Sequence, residues 1–148
     1  MYDAEFSERF GVTDDEGITP ITPFHKRIHY TVFEFEEFMD SSNMSLKDQI
    51  TIAIKIKENY LKYDGFIVVH GTDTLAYTAS TLSFVLENLN KPVIVTGSQI
   101  PILELKNDAT DNLMGSLMIA SQYSIPEVMV FFANKLIRGN RARKVSTN

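Results

Sequence analysis

Phe66-Ile67-Val68-Val69-His70-Gly71-Thr72-Asp73-Thr74-Leu75 is the stretch that decides the fold: an apolar run, a small polar turn, and the first residue of a helical pattern. The run is entered through Asp64-Gly65 and holds no polar residue, the pattern of a strand buried on both faces of a sheet. Beyond the turn, Leu75, Ala79, Leu82, Leu86 and Leu89 step by four, three, four and three, which lines one side of a helix with apolar groups. Strand, turn and helix together make the first part of a βαβ unit.

The same alternation continues outward. Pro92-Val93-Ile94-Val95 reads as a strand, Asp108 to about Gln122 as a helix, and Val128 to Phe132 as another strand. Upstream, Ser45 is a plausible N-cap for a helix that carries Leu46, Ile50, Ala53 and Ile54 and runs to about Tyr60. Ile28 to Phe35 is rich in β-branched and aromatic residues and reads as a strand. Residues 1–27, with Pro20, Pro23 and many Asp, Glu, Thr and Gly, read as connecting structure. Lys135 to Asn148 is basic and polar and suggests no closing strand or helix. Strand, helix, strand, helix, strand argues for an α/β domain whose parallel sheet has helices packed on it.

Composition narrows the chemistry. The chain has 148 residues, fitting one domain, with 44% hydrophobic and 22% charged residues, an ordinary globular mixture. A net charge of −5 offers no basic face for a phosphate backbone, so no nucleic-acid partner is expected. The absence of cysteine rules out a disulfide framework, a thiolate metal site and a cysteine nucleophile. The start, Met1-Tyr2-Asp3-Ala4-Glu5-Phe6, has neither the basic nor the apolar part of a secretion signal, and no apolar run is long enough for a membrane span, so a cytoplasmic location is the expectation.

In an open parallel sheet the binding crevice lies beyond the carboxyl ends of the strands, where loops meet the positive ends of helix dipoles. Three segments reach it: His70 to Thr74, Thr96-Gly97-Ser98-Gln99, and Ala133-Asn134-Lys135. The first has two readings. In one, Gly71 makes a turn and a Thr or Asp caps the following helix. In the other, Thr72 supplies a hydroxyl at the crevice while free backbone N–H groups stabilise a developing oxyanion. A hydroxyl is a weak nucleophile until a base takes its proton, and Lys144 or His70 could serve. No glycine-rich phosphate loop of known spacing is present, and His25, His29 and His70 lack metal-ligand spacing, so neither a nucleotide nor a metal is expected.

Tyr63 to Ser80 closely resembles the second signature of type I, cytoplasmic-type L-asparaginases, a family that includes the asparaginase domain of animal lysophospholipase-type proteins. Asp40-Ser41-Ser42-Asn43-Met44, Asn88 to Pro101, and Phe131 to Lys144 with Arg138-Gly139-Asn140-Arg141 agree in order and spacing. The resemblance covers roughly Ile28 to Val145. It implies a parallel-rich three-layer α/β domain with helices on both faces, and hydrolysis of the side-chain amide of L-asparagine to L-aspartate and ammonia without a cofactor. It places catalytic roles on Thr72, Asp73 and Lys144, and contacts to the substrate's α-amino and α-carboxylate groups on Asp40, Ser41 and Ser42. A homo-oligomer is implied at full length.

The chain departs from the family pattern in several places. The Thr-Gly-Gly-Thr turn that supplies the family's primary nucleophile is absent from the sequence, as is the smaller carboxy-terminal domain. The expectation is therefore a partial amino-terminal domain, with 1–27 connecting and 28–148 as core, its first strand lost to truncation or to an early start. Arg143 stands where threonine is usual, and Ala109 replaces a common glycine. The competing expectation is a degenerate homologue that binds an amino acid or a partner without turnover. A flavodoxin-like nucleotide-binding module would share the sheet but lacks a phosphate loop.

Overall fold

The computed structural model describes residues 16–35 and 39–145. The chain divides into two compact units, one ending at Phe38 and the other beginning at Met39. In the first unit, β1 (Glu16–Ile18) pairs antiparallel with β2 (His29–Thr31), Gly17 opposite Tyr30. A side chain at Gly17 would collide with the Tyr30 ring, so glycine is what lets the two strands close. This corrects the reading of 1–27 as connecting structure alone, since β1 lies inside it. It also shortens the strand expected over Ile28 to Phe35 to three residues, which pair within their own small sheet.

The second unit is a four-stranded sheet in the order β3 (Phe66–Val69), β4 (Val93–Thr96), β5 (Val128–Phe132), β6 (Lys135–Arg138). The first three strands are parallel, in the register Phe66 with Val93 and Val93 with Val128, and β6 is antiparallel to β5. Successive side chains of a strand point to opposite faces, so the sheet has two distinct apolar sides. Val93, Val95, Val128 and Val130 meet α1 (Leu46–Asn59) through Ile52, Ala53 and Ile56, and α2 (Leu75–Val85) through Leu75, Ala79 and Leu82. Ile94, Met129 and Phe131 face the other way, against Ile119 and Ala120 of α3 (Ala109–Gln122). The result is the expected three-layer, parallel-rich α/β arrangement with helices on both faces.

The crossovers β3-α2-β4 and β4-α3-β5 step the same way across the sheet, yet their helices lie on opposite faces. They therefore have opposite hands, and one breaks the rule that such crossovers are right-handed.

Local chemistry explains the element ends. Ser45 caps α1 in a reciprocal box with Asp48, whose carboxylate accepts from the Ser45 N–H at 2.8 Å. The leucine pattern predicts an α2 longer than the one observed. The helix stops at Val85, and Leu86 and Leu89 pack on the core from the turn that follows, where Asn88 takes φ of 55°. The tail beyond Lys135 is not featureless, as expected, but forms β6 and a 3-10 turn at Gly139–Arg141. The device is a tight hairpin whose central residues, Ala133 and Asn134, have φ of 47° and 60°, the left-handed pair that matches strand twist. Finally, β3 is not buried on both faces. Among the described residues its one partner is β4, and Val69 is 71% exposed.

Candidate active site

The carboxyl ends of the parallel strands converge as the topology requires. β3 hands over to His70, whose N–H still bonds Thr96 O at 2.8 Å, and the chain then turns through Gly71, Thr72 and Asp73 before α2 begins. Thr74 is the residue at the cap position of α2, and its hydroxyl makes no capping bond. It donates instead to the carbonyl of Ser41 at 2.7 Å. Neither Thr72 nor Asp73 caps the helix, so the reading of Gly71 to Thr74 as a plain capping turn fails. Their side chains are free for each other's neighbour, Lys144.

Lys144 comes from the far end of the chain. After β6 the backbone passes through Gly139, where a Cβ would crowd Val128 O, Ala79 O and the Ser83 hydroxyl. Only glycine lets this segment tuck against α2. Three residues after the turn at Gly139–Arg141 ends, with Ala142 packed on the core, Lys144 Nζ donates to Thr72 Oγ1 at 3.0 Å and to Asp73 Oδ1 at 2.9 Å. The Lys144 side chain is 27% exposed and the Asp73 side chain 59% exposed, so a largely covered lysine bridges a hydroxyl and a more open carboxylate. Beside it runs a groove of about 830 Å³, walled by Asp73, Tyr77, Ser80, Asn140, Arg143 and Lys144 among others. Arg143 thus stands next to the Thr72 cluster, on the groove side.

The Asp40-Ser41-Ser42 block forms a 3-10 turn, Ser41–Asn43, against the same loop. Asp40 accepts from the Ser42 N–H at 3.0 Å and from its hydroxyl at 2.9 Å, and these two bonds, the backbone one foremost, hold its carboxyl below the usual range. Ser41 is buried and presses on Gly71, where any side chain would overlap it. The structure therefore brings the block and the His70 to Thr74 loop together through Ser41, Gly71 and Thr74. It does not join the Asp40 or Ser42 side chains to Thr72, Asp73 or Lys144, since they engage each other.

His70 and two residues outside the sequence expectations, Asp108 and Asn112, complete the frame. His70, offered as an alternative base, has both ring nitrogens occupied: Nδ1 lies 2.7 Å from Gly71 O, and Nε2 lies 2.9 Å from Thr78 Oγ1 and 2.8 Å from Met44 Sδ. Burial, opposed by the Gly71 bond, pushes its pKa down. It packs behind the site, and Lys144 alone of the two reaches Thr72. Asn112, 2% exposed, donates to Gly97 O and accepts from the Ala133 N–H, tying the loops after β4 and β5 together. Burial pushes the Asp108 carboxyl up, but the Ile100 and Gln99 N–H groups and the Asn112 amide outweigh it, leaving the pKa lowered. A polar side chain one helical turn after an N-cap Asp was the one legible sign of this network. Ala109, in place of glycine, opens α3 with ordinary negative φ and takes no strain there. Among the described residues no group of three or more potential metal ligands occurs, and no helix is long and apolar enough to cross a membrane.

Comparison with known proteins agrees with this geometry. The family described as Asparaginase, N-terminal, matches residues 5–148. L-asparaginase 1 of Escherichia coli is 56% identical over 115 residues, covering 78% of this chain and 34% of that protein. The mouse 60 kDa lysophospholipase is 47% identical over 145 residues, covering 98% of this chain and 26% of that protein. The crystal structure of L-asparaginase I from Vibrio cholerae superposes with a TM-score of 0.77 at 56% identity, over 78% of this chain and 35% of that one. The chain thus spans between a quarter and about a third of the length of these relatives. With its α/β sheet, its Lys144 bridge and these matches, the chain belongs to the asparaginase family, within the amino-terminal domain.

Proposed function

We propose that this chain carries part of an L-asparaginase site, in which Thr72, Asp73 and Lys144 act on the side-chain amide of L-asparagine and Asp40, Ser41 and Ser42 face its α-amino and α-carboxylate groups. The observation that supports this reading most is the Lys144 Nζ set between Thr72 Oγ1 and Asp73 Oδ1. As an ion-paired ammonium, Lys144 donates to the Thr72 oxygen, so negative charge that develops on that oxygen as its proton leaves is met by a fixed cation. Asp73, the more open partner, can turn its second carboxylate oxygen to a substrate ammonium. The turn that enters α2 presents backbone N–H groups and the positive end of the helix dipole to an oxyanion.

The amide is cleaved by addition of an oxygen nucleophile to the carbonyl carbon and departure of ammonia, and water finally supplies the hydroxyl of aspartate. The family's first-signature threonine is not in this sequence, so the reading assigns the 148-residue chain alone no significant turnover. Groups of one cooperating constellation do not act independently. The complete enzyme is read as a cytoplasmic homo-oligomer. A second reading, a homologue that binds without turnover, draws on the same missing threonine.

The test is ammonia release from L-asparagine by the isolated chain and by a chimaera in which this chain replaces the matching part of the Vibrio cholerae enzyme. The isolated chain should be inactive and the chimaera active, with Lys144→Met lowering its rate by about 100-fold or more. A chimaera indifferent to Lys144→Met would sink the assignment. An inactive but folded chimaera that still binds asparagine would favour the second reading.

A further inference from the structure

We propose that His70 is the positioning residue of Thr72: as a neutral ring protonated on Nδ1 it holds the Gly71 carbonyl and so fixes the peptide that leads into Thr72. The inference rests on the functional reading above only in naming Thr72 as the group worth positioning.

The geometry sets the tautomer. Gly71 O, 2.7 Å from Nδ1, is a carbonyl and can only accept, so Nδ1 carries the hydrogen. In the neutral ring Nε2 is then an acceptor, and the Thr78 hydroxyl at 2.9 Å is its donor. Met44 Sδ, 2.8 Å from Nε2, can also only accept, but a thioether sulfur is a far weaker acceptor than a carbonyl, so Gly71 O keeps the ring hydrogen on Nδ1. A second ring proton would force the Thr78 bond to reverse inside a site where Thr78 is fully buried and His70 is 7% exposed. Among the described residues no charged side chain is hydrogen-bonded to the ring. Of the charged groups on neighbouring segments, Asp40 is turned onto Ser42, Asp48 onto Ser45, and Asp73 and Lys144 onto each other. α2 contributes Tyr77, which is exposed, and β4 contributes no titratable group.

The loop needs such a hold. Ser41 leaves no room for a side chain at position 71, so the residue before Thr72 must be glycine, the one with the widest backbone freedom. Anchoring its carbonyl removes that freedom. Through Met44 and Thr78 the same ring also touches the end of the 40–44 segment and α2, the helix that follows the Thr72 loop, so both neighbours of that loop are registered on one imidazole. A misplacement of about 1 Å at a reacting group can cost 100-fold in rate, which gives the contact a consequence for catalysis.

The test uses nitrogen-15 NMR on the full 148-residue chain. The ring nitrogens should report the Nδ1–H tautomer, and on acidification the Thr72 amide signal should move with the same midpoint as the ring. His70→Asn puts an amide nitrogen where Nδ1 stood, and should keep the Thr72 signal at its parent position while abolishing its titration. His70→Gln reaches only the Nε2 side and should displace the Thr72 signal at every pH. A ring protonated on Nε2, or a Thr72 signal blind to both the titration and His70→Gln, would overturn the proposal. If His70→Gln does not fold, the tautomer and titration of the parent decide. None of these readouts needs hydrolysis: correct shifts with a dead chimaera would sink the functional reading alone, and an active chimaera with an indifferent Thr72 would sink the positioning alone.

Discussion

Single residues in this chain do work that their type alone does not reveal. Thr72, Asp73 and Lys144 were legible only as a small polar loop and a distant lysine, because nothing in periodicity links positions separated by 71 residues. The resemblance to the asparaginases supplied that link, and the Gly139 passage shows how the chain closes the gap. Thr74 was legible as a cap and serves as a tie to Ser41 instead, its hydroxyl donating to the Ser41 carbonyl and making no capping bond. His70 carries a pH consequence. Burial holds its folded pKa below the ordinary value of 6.5, so the unfolded chain binds the proton first. Stability should be fully present above about pH 6.5 and fall progressively as the pH drops toward the folded value; urea unfolding at stepped pH checks this, and a midpoint unchanged on acidification through that range would contradict it. Ala133 is strained for a residue with a Cβ, at φ of 47°. Ala133→Gly should raise stability by a few tenths to about 1 kcal/mol, the left-handed penalty offset by the larger entropy of unfolded glycine, while its N–H keeps the bond to Asn112. A lower melting temperature would show that the methyl group packs usefully.

At the scale of elements, α1, α3, β4 and β5 were legible because each is a long or pure pattern bounded by clear chemistry, as with Ser45 before α1. The misses have physical causes. β6 hides because Lys135-Leu136-Ile137-Arg138 is exposed throughout, so no buried face imposes alternation on it. The end of α2 hides because Leu86 and Leu89 continue to serve the core after the helix has stopped. The hand of the crossovers is not written in any local pattern, and the usual rule would have put α2 and α3 on one face. The two sheet edges also differ. β6 carries Lys135 and Arg138, the charges that discourage strand addition, whereas β3 is Phe66-Ile67-Val68-Val69 with no charge or proline. Because Phe66 N–H bonds Pro92 O, just before β4, and His70 N–H bonds Thr96 O, the alternate groups of Ile67 and Val69 face the side that has no strand partner among the described residues. The chain should self-associate through this edge in a concentration-dependent way, and Val69→Lys should suppress it. Light scattering that finds a clean monomer at high concentration would contradict this.

On the scale of the whole molecule, the family and the three-layer α/β plan were legible from an eighteen-residue run, Tyr63 to Ser80, and the shared spacing of three further blocks. What the sequence could not convey is which of the candidate residues meet. The structure groups Thr72, Asp73 and Lys144 tightly and sets Ser41 behind them, but leaves Asp40 and Ser42 satisfied by one another. On the proposed reading those two re-pair when a zwitterion arrives. The central claim is that the Thr72 hydroxyl does chemistry, and a direct comparison of two substitutions in the Vibrio cholerae chimaera tests it. Thr72→Ser keeps the oxygen beside Lys144, whereas Thr72→Val keeps the shape and loses the oxygen. With folding verified by circular dichroism, Thr72→Ser should hydrolyse L-asparagine within about tenfold of the parent and Thr72→Val about 100-fold or more below it. A folded Thr72→Val variant that releases ammonia at close to the parent rate would contradict the account.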